Sequence, residues 1–329
     1  MQPTPGSNGG LRPAFGSFFA MLGSLGILSL VLGFVAIPRT VVGPLNLFLA
    51  MLYLGVPILA IYRVASAPWT KKLALLFLLG GVVGWGLFLI LEGHTKSGLA
   101  NGVAVALSQI GIQTACVGLG ALLGTLIPDK NLLIPIAIFL AVYDVFLVRT
   151  DIGPTHQLMM HAPAILKSTG VRIPAASSHH GSGLVPVGAF VGDADVVSLA
   201  AFFIALFRFK LRTRETFLVM LPTLILYLIV VELYSLQLPA LVPIGAVILL
   251  VNYREFNLTK EEKLGTGLIA CLAVGLLTWA LNRPRIEPGP PPGPAPSAAS
   301  QPEPISPAKP GPGAPGRRRS SRRIAPTNI

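Results

Sequence analysis

The sequence predicts an all-α fold, a polytopic membrane bundle of about nine transmembrane helices. Two observations of composition support this: 53% of the 329 residues are hydrophobic, and only 12% are charged. A third is the recurrence, along most of the chain, of apolar runs long enough to cross a bilayer, with a mean hydropathy of +0.71 overall. This balance belongs to membrane proteins rather than to soluble domains of similar length.

Residues 1–14 are rich in Gly and Pro and read as a disordered N-terminus. The first apolar run, 15–37, is long and lacks a following small-residue cleavage site, so it is expected to stay as an anchor. Runs at 45–62, 73–91 and 103–127 complete an N-terminal region, 15–131. Within it, "GGVVG" (Gly80 to Gly84) and "GALLG" (Gly120 to Gly124) have the small-residue spacing of close helix contacts. A second region, 132–283, holds runs at 132–148, 184–207, 217–236, 238–251 and 264–281. The run at 238–251 is short and carries Pro239 and Pro243, so an irregular start is expected there. Residues 284–329 are Pro-, Gly- and Ser-rich, too poor in apolar groups to fold, and end in a basic cluster. That tail is expected to be disordered and solvated, its basic cluster having some attraction to anionic lipid rather than to nucleic acid. Lys and Arg are more frequent in loops on the N-terminal side, which is therefore expected to be cytoplasmic, in a multi-pass protein of the cell membrane.

Several chemistries lack their residues. Cys116 and Cys271 lie inside apolar runs and read as packing. His156, His161, His179 and His180 share one loop, but no His-Glu-x-x-His stands on a helix, and no metal or cofactor is expected. Ser182, between glycines in "HHGSGL", falls in a loop rather than on a nucleophile elbow, and no phosphate-cradling glycine loop is present.

What stands out is charge inside apolar runs. A carboxylate in mid-bilayer costs roughly 2.5–3.5 kcal/mol on insertion scales, so each is a functional-site hypothesis. Asp144 is alone in "IFLAVYDVFL", while Asp193 and Asp195 share the early part of the next run. Residues two apart on a helix point to opposite faces, so at most one of these two can meet Asp144. Asp193, following Gly192, is the expected partner, because a small neighbour lets backbones approach. Glu232, near the end of its run, reads as an interfacial carboxylate.

In order along the chain stand "VYDVFLV" with Tyr143-Asp144, "FVGDADV" with Gly192-Asp193, and "QLPALVP" with Pro239-Ala240-Leu241. This order resembles the YD, GxGD and PAL motifs of the presenilin and signal peptide peptidase family of intramembrane aspartyl proteases. "GPTHQLMMHAPAILK" is similar to the Gly-Pro and amphipathic helix that follow the YD helix in presenilins. The likeness covers residues 132–251. It departs from the family in two ways: Phe190 stands where GxGD has its first glycine, and the YD motif falls on the fifth run rather than the sixth.

The resemblance implies a presenilin-like bundle and an intramembrane-cleaving aspartic endopeptidase acting on transmembrane segments of membrane proteins. It implies Asp144 and Asp193 as the catalytic pair, with Tyr143, Phe190, Gly192, Pro239, Ala240 and Leu241 meeting the substrate. Phe190, one helical turn before Asp193, is expected to narrow the site. The loop between the Asp-bearing runs is short, which implies action without self-cleavage, and the resemblance leaves open whether partner subunits are needed. Two carboxylates meeting in a low-dielectric pocket share one proton, so one can act as base on water while the other polarises the scissile carbonyl. The rival reading is an ion-coupled transporter with Asp144, Asp193 and a broken helix forming a midplane cation site.

Overall fold

The computed structural model describes residues 11–95, 98–149, 169–176, 187–234 and 239–282. The four loop histidines, Ser182, the stretch after Gly153-Pro154 and the tail lie outside these residues.

Nine α-helices stand among the described residues: α1 (Leu11–Leu32), α2 (Arg39–Ala65), α3 (Lys71–His94), α4 (Gly98–Leu126), α5 (Leu133–Arg149), α6 (Asp193–Arg208), α7 (Thr213–Tyr234), α8 (Leu241–Asn252) and α9 (Lys260–Leu281). Two strands, β1 (Val171–Pro174) and β2 (Val187–Val191), precede α6. Seven helices are long and apolar enough to cross a membrane, which defines a polytopic helical membrane protein. α6 and α8 are the exceptions, at 16 and 12 residues. They rise only about 24 and 18 Å, short of a hydrocarbon core of roughly 30 Å.

The apolar run at 184–207, expected to be one helix, is thus divided. Residues 187–191 pair as a strand, antiparallel to β1, with Val171 opposite Val191 and Arg172 opposite Phe190. The reason is local: Gly188 and Gly192 weaken a helix here, and Gly192 then takes an extended conformation as the N-cap of α6. Val171 and Ile173 of β1 are buried. The hairpin is also tied to α2, where Oδ1 of Asn46 accepts the Ala176 N–H at 2.6 Å.

α4 is the central helix, with 61% of its apolar span buried against 6% for α9. It packs on α1, α3, α6 and β1. Lipid tails are as apolar as leucine, so helices in a bilayer associate through close packing, and small residues permit it. Gly81 lies against the backbone of Ala115, and Gly118 against that of Leu78, which joins α3 to α4. Gly120 and Gly124 seat α4 on α6, where an added Cβ would come within 2.5 Å of Val197 O and 2.7 Å of Ala201 O respectively.

Helix ends are closed by named groups. Arg208, in the last turn of α6, donates to the terminal carbonyls of α4, reaching Thr125 O at 3.0 Å and Ile127 O at 2.6 Å. α6 itself stops with Lys210 in the left-handed region (φ 54°) and Leu211 N–H donating back to Leu206 O. Thr259 and Glu262 cap α9 reciprocally, and Asn131 donates from the turn before α5 to Glu262 and to Asn257 O. α9 and α8 both pack on α5, which brings the helix bearing Asp144 against the segment that begins at Pro239.

Candidate functional site

Asp144 lies on α5, partly buried, and its Oδ2 accepts the backbone N–H of Leu241 at 2.8 Å. Leu241 opens α8, and the first amides of a helix have no partner within it, so this N–H is available by construction. The contact also sets a carboxylate at the positive end of a helix. Pro239 helps define where α8 begins, since it lacks an N–H. Its own carbonyl accepts from the Tyr227 hydroxyl of α7 at 2.7 Å, which anchors the segment from the other side.

On α6, Asp195 lies within electrostatic range of Asp144 and of Asp193, and Tyr227 within range of Asp144 and Asp195. Asp193 also lies within electrostatic range of Cys116 on α4. Its buried Oδ1 has no hydrogen-bond partner among the described residues. Asp195 sits three residues after the N-cap, so its carboxylate folds back to the Gly192 N–H, the acidic half of a capping box. Glycine at 192 leaves room for this, because a Cβ there would stand 3.2 Å from Oδ2 of Asp195.

A small cavity of about 40 Å³ adjoins Asp195 and is walled by Tyr53, Gln113, Leu199, Ala240 and Ile244 among others. The segment Pro239-Ala240-Leu241 thus meets both carboxylates: Leu241 by its N–H on Asp144, Ala240 at the cavity beside Asp195. Tyr143 is exposed, with its ring stacked on Phe139 at 5.9 Å. Phe190 is exposed too, and it stands on β2 rather than on a helical turn ahead of Asp193. The helical face assigned to its ring is corrected accordingly, since an extended chain does not carry it around the α6 axis. Glu232 falls in the last turn of α7.

Sequence reasoning weighed Asp195 against Asp193 and chose Asp193, and it did not single out Tyr227. For Asp195 a signal existed, a glycine three residues earlier in Gly192-Asp193-Ala194-Asp195. Tyr227 offered none, since nothing local distinguishes it from an interfacial tyrosine. Among the described residues no group of three or more His, Cys, Asp or Glu could hold a metal ion.

Fold and site together define a multi-pass helical membrane protein in which the Asp144 carboxylate meets the start of α8. No protein-family model, curated protein or solved structure matches the chain.

Proposed function

We propose that this chain is an intramembrane aspartic endopeptidase of the presenilin and signal peptide peptidase type, in the cell membrane, cleaving transmembrane segments of other membrane proteins. The observation that carries the reading is the 2.8 Å hydrogen bond from Leu241 N–H to Asp144, which joins the YD-like and PAL-like segments 97 positions apart in sequence. The pair we propose is Asp144 with Asp195, so the role expected for Asp193 passes to its neighbour. In that register Gly192-Asp193-Ala194-Asp195 fits GxGD with alanine for the second glycine, and Phe190 falls outside the pattern.

In this mechanism Asp144 and Asp195 share one proton, because like charges in a low-dielectric site resist joint ionisation. The unprotonated member takes a proton from water as it attacks, and the protonated member donates to the carbonyl oxygen. The N–H of Leu241 holds Asp144 in one rotamer, which removes a reorganisation step. A substrate helix must unwind to expose its peptide bond, and the Pro-containing start of α8 offers an interruption of regular helix against which an extended substrate strand could pair.

The deciding experiment incubates the purified full chain in detergent with a model transmembrane peptide and maps products by mass spectrometry. Cleavage within the apolar segment is expected, lost in Asp144→Asn and in Asp195→Asn and largely kept in Asp193→Asn. Loss in Asp193→Asn with activity in Asp195→Asn would return the pair to Asp193. Absence of cleavage in detergent and in vesicles alike, with cation-driven uptake instead, would establish the transporter.

A further inference from the structure

We propose that the cavity enclosed by α1 to α4 and the β-hairpin is a hydrated antechamber through which water reaches Asp195. Its use for hydrolysis rests on the protease reading, whereas its hydration does not. The cavity holds about 120 Å³, and a water molecule needs only roughly 10–15 Å³ by the same measure, so several fit.

Volume alone would leave it dry, as apolar cavities are. Here the lining includes Ser29, Tyr53, Glu92, Gln109, Gln113 and Arg172. Glu92 and Arg172 form an ion pair at 2.9 Å, and the backbone N–H of Arg172 donates to Oε1 of Gln109 at 2.9 Å. These bonds use one oxygen of Glu92 and the carbonyl end of Gln109. What remains is an acceptor, Oε2 of Glu92, and a donor, Nε2 of Gln109, both buried and without a partner among the described residues. An acceptor and a donor at one wall match water, which is both. Each would otherwise cost about 1–3 kcal/mol as an unmet buried group.

The antechamber also leads somewhere. Tyr53 and Gln113 line it and also line the cavity of about 40 Å³ beside Asp195 and Ala240, so they form the partition between the two. Tyr53 is held in place by its hydroxyl, which donates to Leu25 O at 2.6 Å. The outer chamber lies where α1 and α3 end and α4 and β1 begin, at one end of the bundle, where bulk water is nearest.

The test uses cysteines in the full chain, with Cys116→Ala and Cys271→Ala as background, in detergent and in vesicles. Ser29→Cys, Gln113→Cys and the lipid-facing Val83→Cys are each treated with a small cationic methanethiosulfonate. Only a hydrated thiol ionises and reacts, so the first two should label at least about tenfold faster than the third. Ala106→Phe, which fills the antechamber, should slow labelling of Gln113→Cys. It should also lower kcat about tenfold with KM and aspartyl-protease-inhibitor affinity unchanged, a split that general misfolding would not give. Val105→Phe, from the same lining, serves if Ala106→Phe elutes as aggregate.

Labelling of Gln113→Cys no faster than Val83→Cys, or unaffected by both plugs, overturns the proposal. Labelling is repeated in Asp144→Asn, where it needs no activity. If the chamber labels as expected and the wild-type chain cleaves nothing, the protease reading fails and the hydrated cavity stands.

Discussion

At the scale of single residues, the site depends on side chains that hold backbone in place. The Tyr227 hydroxyl on Pro239 O is a single neutral bond worth about 0.5–1.5 kcal/mol net, too little to decide the fold but enough to fix the start of α8. Tyr227→Phe is therefore expected to leave the thermal midpoint nearly unchanged and, on the proposed protease reading, to lower peptide cleavage several-fold, read side by side on one preparation. Asn252 is a contrasting case. It is fully buried, accepts the Arg212 N–H at 3.0 Å, and donates to Thr216 Oγ1 and to Ile248 O. Asn252→Leu strands the Arg212 amide at about 1–3 kcal/mol and removes the bond that Thr216 Oγ1 accepts, while that hydroxyl still donates to Arg212 O, so the detergent-solubilised protein should melt clearly lower. An unchanged midpoint would mean that water reaches these groups.

At the scale of elements, glycines decide which helices touch. An added Cβ at Gly120 would stand 2.5 Å from Val197 O and 2.6 Å from Ala200 Cβ, so α4 and α6 would have to part. At Gly84 nothing lies within 4 Å. Gly120→Val should cost about 1–3 kcal/mol or more through overpacking, while Gly84→Val is tolerated. Thermal unfolding of the two variants, measured in parallel, checks the contrast, and equal behaviour would remove the α4–α6 contact from the account. On the proposed protease reading, in which α6 carries Asp195 of the pair, Gly120→Val should also reduce cleavage, whereas Gly84→Val should not.

At the scale of the whole molecule, the outward faces of the bundle are apolar. Val83, midway along α3, is 67% exposed, as a lipid-facing side chain is in protein alone. Val83→Arg would set a charge near mid-bilayer, a cost of roughly 2.5–3.5 kcal/mol on insertion scales. A glycosylation-tag insertion assay should show α3 inserting less efficiently, with no such loss for Val83→Leu. Full insertion of the arginine variant would place this face against protein or water instead.

The amino-acid sequence by itself determined the class and the ingredients. Of the nine apolar runs, seven stand among the described residues as helices long enough to cross a bilayer, which requires a length and apolarity that local composition carries, while 184–207 and 238–251 yield only the short α6 and α8. Pro239 foretold the late start of α8 because it lacks an N–H whatever surrounds it. Other features depended on partners distant in sequence. That 187–191 is a strand was decided by its pairing with 171–174, because a short apolar run suits strand and helix equally. How Asp193 and Asp195 are placed was decided by where α6 begins: Gly192 caps the helix, Asp195 folds back on that cap, and Asp193 comes within electrostatic range of Cys116 on α4. Alternation on a helix says that two such residues part company, and only the packing of α2, α4 and α8 around α6 says which goes where.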